Sequence, residues 1–333
     1  MPHVSGYAQE VPDQHSAWST ARLHVVTGKG GTGKTTVAAA LALALAAGGK
    51  RTLLVEVEDR QGIAQLFDVP PLPYAERRIA VAPRGGELRA LAVDVEEALL
   101  EYLDMFYRLG RAGKALKKVG AVDFATTIAP GMRDVLLIGK VKEAVTRVER
   151  GHRVYDAVVL DAPPTGRIGR FLNVNAEVAG LARMGPIKTQ SDGVMAVLRS
   201  PMTVIHLVTL LEEMPVQETA DTIAELVGSG LPVGTVFVNA VRLDALAGAK
   251  VTQAEVRRGL VAAGLPADRL AVRTLTDEAT DHARRLVLEG RLREDLRDVG
   301  HPLIDLPFLP DGVDLGGLYR LADALCEAGV RTP

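Results

Sequence analysis

"LHVVTGKGGTGKTTVAAALALA", residues 23–44, decides the fold. A short β-branched run leads into a glycine-rich turn, and the turn opens an alanine- and leucine-rich segment with helical propensity. Gly28-Lys29-Gly30-Gly31-Thr32-Gly33-Lys34-Thr35 matches G-x-x-x-x-G-K-[ST] in the strand–turn–helix context that this motif requires. The glycines let successive backbone N–H groups converge on phosphate oxygens at the positive end of a helix dipole. Lys34 is placed to neutralise the β and γ phosphates, and the Thr35 hydroxyl to take a coordination position on Mg²⁺. The expected Mg·ATP site therefore runs from Gly28 to Thr36.

Outward from this stretch, short and mostly continuous apolar runs recur at 51–58, 88–94, 155–162, 202–209, 233–240 and 302–308. Such runs suit parallel strands covered on both faces. Helical candidates lie between them, including 34–47, closed by Gly48-Gly49, and 211–228. Strand–helix alternation predicts an α/β fold, a doubly wound and mostly parallel sheet. Two segments exceed a bare sheet, about 94–153 and 174–200, and both read as helical insertions that pack together. No linker or repeat divides the chain, so the expected organisation is a disordered tail over 1–21 and one domain over 22–330. Trp18 is the tail residue expected to tuck against the body.

Composition excludes several classes. A net charge of −2 carries no global footprint for nucleic acid or anionic lipid. Cys326 is the one cysteine, which excludes an intramolecular disulfide, a CxxC zinc pair and an intrachain Fe–S cluster. The N-terminus lacks a basic segment followed by an apolar run, and no stretch reaches the ~20 apolar residues of a membrane span. A cytoplasmic protein without stable membrane insertion is expected.

Lys29 is one cation more than a phosphate loop needs. On residues alone it is also compatible with a solvated loop shoulder. The run Lys29-Gly30-Gly31-Thr32-Gly33-Lys34-Thr35 resembles the deviant P-loop of a group of ATPases. That group includes ParA and MinD, the nitrogenase iron protein, and the ArsA/GET3 anion-pump and tail-anchored-protein-targeting ATPases. The resemblance implies a dimer in which Lys29 reaches the partner's nucleotide and acts in trans, as an arginine finger does.

Further segments point to the ArsA/GET3 branch. "YDAVVLDAPPTGRIGRFL" (155–172) is similar to its second switch, D-T-A-P-T-G-H-T-x-R-x-L. This implies that Asp161 is the carboxylate holding Mg²⁺ and that Pro163, Pro164, Thr165 and Gly166 sense the γ-phosphate. Arg167 stands where the family usually has His. In "TLLVEVEDRQGIAQLFDVP" (52–70), aligned through Gln65-Leu66-Phe67, the water-positioning Asp of the first switch falls on Glu58, and Asp59 replaces the following Pro. A solvated strand end is the alternative reading of Glu58-Asp59, and near-attack geometry is sensitive to about an ångström. Asn239, ending "TVFVNA", falls where the family reads the adenine edge, and "IDLPFLPDGVDL" (304–315) puts Pro307 and Phe308 near the base. The likeness covers most of 22–325 and is nearest to the actinobacterial ArsA/GET3-like proteins. These occur as paralogous pairs, which implies a second ArsA/GET3-like subunit, in a heterodimer rather than a homodimer.

Departures from the family pattern narrow the reading. A single P-loop and a lone cysteine argue against zinc, against metalloid activation and against the nitrogenase cluster. The C-terminal stretch has Leu318, Leu321, Ala322 and Leu325 at helical spacing and reads as a docked core helix rather than a membrane tether. "HARRLVLEGRLREDLRD" (282–298) mixes arginines with acids, so a solvated face is expected instead of a DNA surface. Leu99, Leu100, Leu103, Met105, Phe106, Met184 and Met195 are candidates for a groove holding a hydrophobic client, or for ordinary core. The leading expectation is an ATP- and Mg²⁺-dependent ATPase whose cycle opens and closes a dimer. The alternatives are a nucleotide-gated binding protein with little hydrolysis and a ParA/MinD-type positioning ATPase.

Overall fold

The computed structural model describes residues 18, 20–58, 60–107, 131–173, 186–244 and 251–332. Residues 1–17 of the expected tail, Asp59, the middle of the first insertion and the start of the second lie outside these, as do Met184 and the side chain of Phe106.

An eight-stranded sheet organises the chain. In chain order its strands are β1 (Leu23–Gly28), β2 (Arg51–Glu56), β3 (Arg77–Ala82), β4 (Gly86–Ala92), β7 (Ala157–Asp161), β8 (Thr203–Thr209), β9 (Val233–Val241) and β10 (Leu303–Pro307). A two-stranded hairpin, β5 (Val148–Glu149) with β6 (His152–Arg153), stands apart from the sheet. The spatial order is β10-β9-β8-β1-β7-β2-β4-β3, parallel throughout except for β3. β1, β7 and β8 are buried along their whole length, as their unbroken apolar runs require. β3 was not anticipated. Its Arg-Arg-Ile-Ala-Val-Ala run is weakly apolar because it is an edge strand and largely exposed. The turn that returns it to β4 holds Arg84 and Gly85 at φ 59° and 96°, the left-handed backbone for which glycine is suited.

Helices cover both faces. α1 (Lys34–Ala46) is buried from Val37 to Ala46, and a helix apolar on every side must lie between two layers. Here the layers are the sheet and α10 (Leu315–Glu327), whose Leu318, Leu321, Ala322 and Leu325 are buried against α1. α2 (Gly62–Leu66) packs on the same face. On the opposite face lie α3 (Val95–Tyr107), α4 (Met132–Thr146), α5 (Thr165–Leu172), α6 (Pro186–Leu198) and α7 (Glu213–Gly228). The inserted helices α3 and α6 both pack on α4. Gly169 of α5 lets that helix press against α7, because a Cβ there would meet Glu225 Oε1 at 1.8 Å. α8 (Gln253–Ala262) and α9 (Arg269–Asp298) form an outlying hairpin. α8 buries no residue, and of α9 only Val272, Glu289, Leu292 and Leu296 are buried.

Trp18 does tuck in. It is 4% exposed and stacks on His206 of β8 and His24 of β1, with ring centroids 4.9 Å and 5.6 Å away. His24 and His206 share a hydrogen bond between Nδ1 and Nε2 of 3.2 Å. Burial holds His24 down to about pKa 3, and His206 is well below its ordinary value through burial and the neighbouring His24.

Candidate functional site

Parallel register brings the site together at the C-terminal ends of the central strands, where open α/β sheets place ligands. Asp161 of β7 lies beside Val26 of β1 on one side and Glu56 of β2 on the other. The loop after β1 wraps over this edge. Gly28 passes so close to β8 that a Cβ would sit 2.2 Å from the Val208 carbonyl oxygen. Gly33 starts α1 at φ 87°, and a Cβ there would stand 2.4 Å from Asn239 Nδ2. At Gly30 and Gly31 the opposite holds, since an added Cβ would meet nothing within 4 Å. The loop is pinned from behind at two glycines and open in front at two others. That shape fits a cradle of backbone amides for a phosphate chain. Thr32 steadies it by donating its hydroxyl to the Lys29 carbonyl at 2.8 Å.

Thr35 donates its hydroxyl to Asp161 Oδ2 at 2.7 Å. The other carboxylate oxygen, Oδ1, is buried without a hydrogen-bond partner. Burial pushes the Asp161 carboxyl up to about 6; the Thr35 bond and Lys34 oppose this, while Glu56 and Glu58 add to it. A buried carboxylate with one orphaned oxygen, beside a threonine hydroxyl and two further acids, fits a divalent cation. Glu56 accepts from the Gly62 N–H at 2.9 Å and so fixes the start of α2 behind this group.

Glu58 stands at the mouth, its side chain 18% exposed, and Arg167 Nη1 lies 3.4 Å from its Oε1. Arg60 approaches the other oxygen at 3.7 Å. Glu58 and Arg167, two of the departures noted in the sequence, thus face one another. The segment from Pro163 to Gly166 is tied to β1 by Thr27, whose hydroxyl donates to the Pro163 carbonyl at 2.7 Å. Pro164 caps α5, with Thr165 and Gly166 as its first residues.

Lys29 lies at the other shoulder of the loop, where its ammonium contacts Glu218 Oε2 of α7. Thr165 donates its hydroxyl to Glu218 Oε1. Sequence reasoning did not single out Glu218, which lies in the helical candidate 211–228.

Asn239 sits beside the loop and donates from Nδ2 to the Thr32 carbonyl at 2.9 Å, so its amide supports the cradle. It also lines a cleft of about 120 Å³ together with Leu211, Val241, Arg242, Glu289 and Phe308. Phe308 is 42% exposed, and the Arg242 guanidinium lies 4.6 Å over its ring. Pro307 ends β10 next to it. The structure therefore brings Asn239, Pro307 and Phe308 to one side of the phosphate loop.

The groove candidates divide. Leu99 and Met195 are buried core, Leu100 and Leu103 are half-buried against that core, and Met105 is exposed. A cavity of about 240 Å³ between α3 and α4 is lined by Tyr74, Glu101, Tyr102, Met105, Lys140 and Gln190, among others. Its lining includes an ion pair between Lys140 and Glu101 at 2.9 Å. No helix among the described residues is long and apolar enough to cross a membrane.

Comparison with known proteins gives the family. Residues 21–198 match the family model described as anion-transporting ATPase. ATPase BagA of Mycobacterium tuberculosis is 55% identical over 325 residues, covering 95% of this chain and 96% of that protein. The arsenical pump-driving ATPase of Acidiphilium multivorum is 26% identical, covering 88% of this chain and 52% of its own length. ATPase GET3 of Kluyveromyces lactis is 27% identical over 66% of this chain and 72% of that protein.

Proposed function

The chain belongs to the anion-transporting ATPase family, and on that premise we propose that it is a Mg²⁺-dependent ATPase of the ArsA/GET3 type. In this reading ATP binding and hydrolysis open and close a dimer with a second ArsA/GET3-like subunit, a paralogue in preference to a second copy. The observation that carries it is the open cradle at Gly30 and Gly31 beside the Thr35–Asp161 pair. One P-loop domain over 22–330, with helical insertions at about 94–153 and 174–200, holds the site.

Lys34 and the backbone N–H groups from Gly28 to Thr36 bind the phosphates of ATP. Thr35 and Asp161 hold Mg²⁺, which when bound neutralises charge on the β and γ phosphates. Asn239, Pro307 and Phe308 receive the base. Thr165 and Gly166, after Pro163 and Pro164, meet the γ-phosphate at the start of α5. Glu58 orients the attacking water, and Lys29 stabilises transferring charge on the partner subunit's nucleotide. In the test, Lys29→Ala keeps ATP affinity within about twofold yet lowers kcat roughly a hundredfold or more, the scale of a lost finger residue. Equal turnover by the wild type and the variant, with the pairing subunit present, sinks the trans role.

A second reading has its own support. Glu58 is engaged by Arg167 and Arg60, and carboxylate oxygens turned toward two guanidinium groups have fewer lone pairs left to orient a water. A nucleotide-gated binding protein with little hydrolysis follows if that arrangement persists when ATP is bound. Turnover abolished by Glu58→Gln speaks against it. A hydrophobic client on the inserted helices belongs to either reading, with Met105 the one exposed apolar candidate among the described groove residues.

A further inference from the structure

Glu218 joins two elements that the proposed cycle must both move. It projects from α7, the helix that follows β8, and each of its carboxylate oxygens serves a different group. Oε2 receives the Lys29 ammonium of the phosphate loop, and Oε1 receives the Thr165 hydroxyl at the first residue of α5. Lys29 and Glu218 lie 189 residues apart in the chain, so neither local backbone geometry nor helix periodicity dictates the contact. Neither side chain is sealed off: Lys29 is 34% and Glu218 is 29% exposed. The pair can therefore open without unfolding its surroundings. Within α7, Thr222 bonds back to the Glu218 carbonyl at 2.7 Å, and Gly169 of α5 lies against Glu225 about two turns further on.

We infer that Glu218 is a positioning residue that clamps Lys29 and the second switch together in the resting chain and hands both over when a triphosphate is in place. The inference rests on the trans role of Lys29 proposed above. Its physical content is competition. A lysine ammonium is a strongly hydrated point charge on a flexible stem and takes the best anion within reach. Without nucleotide that anion is one carboxylate. With a triphosphate opposite, a group of several negative charges competes with that carboxylate for the same ammonium. Thr165 faces the same choice, because one hydroxyl proton is donated either to Glu218 or to a γ-phosphate oxygen. The clamp ties the two exchanges together, so release of Lys29 favours release of the second switch. Lys29, and then Thr165, hold the Glu218 carboxyl below its ordinary range, so the anion that makes the clamp is present at neutral pH.

The test uses the full chain and Glu218→Gln, which keeps the length and an acceptor for Thr165 but removes the charge that holds Lys29. Reductive methylation without nucleotide, read by mass spectrometry, reports how accessible the Lys29 amine is. The expected result is labelling of Lys29 at least about twofold faster in the variant, with other lysines unchanged, the lower range for a partly exposed ion pair. Sedimentation in Mg·ATP with the pairing subunit reports the second consequence. Half-maximal association moves to about two- to fivefold lower concentration, the same pair energy expressed as an equilibrium. That shift disappears in the Lys29→Ala background, which a merely structural effect of residue 218 would not do. Equal Lys29 labelling in the two proteins overturns the clamp, whether or not the protein hydrolyses ATP. A shift that persists in Lys29→Ala overturns it as well. Absence of any Mg·ATP-dependent association, with faster labelling retained, leaves the clamp standing and instead defeats the dimeric ATPase reading. If Glu218→Gln folds poorly, Glu218→Asp serves: its charge is kept one methylene short, and Lys29 labelling is expected between the other two rates.

Discussion

β1 carries buried polar groups near both of its ends, and the two ends differ in kind. Near the start, His24 meets His206 of the adjoining strand under the ring of Trp18. Past the finish, Asp161, Thr35 and Lys34 gather below an open loop. Both histidines are sealed, both are held neutral by burial, and each bonds the other. Asp161 is also buried with one unpartnered oxygen, as His24 is with Nε2, but Asp161 is an acid with two further acids close by and an open loop above it. Burial of a titratable group therefore does not mark a site. An unsatisfied charge next to open space does.

The comparison can be broken at either end. The largest expected effect is on the sealed side: Trp18→Ala removes a buried aromatic and costs about 3–5 kcal/mol of stability, read by denaturant unfolding. Its nucleotide affinity is expected to stay within a factor of about two once the variant is folded. On the open side the pattern inverts. Lys34→Ala weakens ATP binding by at least about thirtyfold by calorimetry, the cost of truncating one partner of a hydrogen-bonded charge pair. It leaves the unfolding midpoint nearly unchanged. A Trp18 variant with lost affinity, or a Lys34 variant with lost stability, would show that the two ends are coupled through the strand.

A further effect comes from pH. In the unfolded chain His24 takes a proton near its ordinary pKa of 6.5, whereas in the folded chain burial delays this to about 3. Between those values the unfolded state binds more protons, so stability falls as pH drops through the window. The slope approaches about 1.4 kcal/mol per pH unit from His24 alone, and His206 adds in the same direction. Unfolding midpoints from pH 7 to pH 4.5 check it, and a His24→Leu, His206→Leu double variant is expected to flatten the profile.

Much of this was legible in residues 23–44 and in the apolar runs that follow. A phosphate loop is local chemistry, with every determinant inside eight residues, and parallel strands buried on both faces announce themselves as unbroken apolar segments. β3 was missed because an edge strand needs little hydrophobicity, and its arginines read as loop. The paired histidines, 182 positions apart, were invisible as a pair; each looked like one polar residue in an apolar strand. The same limit hid Glu218. Its two partners come from the loop after β1 and the start of α5, and only the crossing of α7 over both sets them in reach. Glu58 and Arg167 were each visible as a departure, but that they face one another required the register of β2 and β7.

α9 is a 30-residue helix, and at 1.5 Å per residue it is about 45 Å long. Its C-terminal third is seated by Glu289, Leu292 and Leu296, and Glu289 holds Arg285 at 3.0 Å and reaches Arg242 at 3.9 Å beside the cleft. The remainder lies largely in solvent with α8 against it. This is the geometry of a pointer on a short pivot. A tilt of about 5° at Leu296 moves Arg269 by roughly 3.5 Å, because some 40 Å of helix separates them. A sub-ångström adjustment at the Arg242–Glu289 contact is therefore magnified several-fold at the tip of the hairpin.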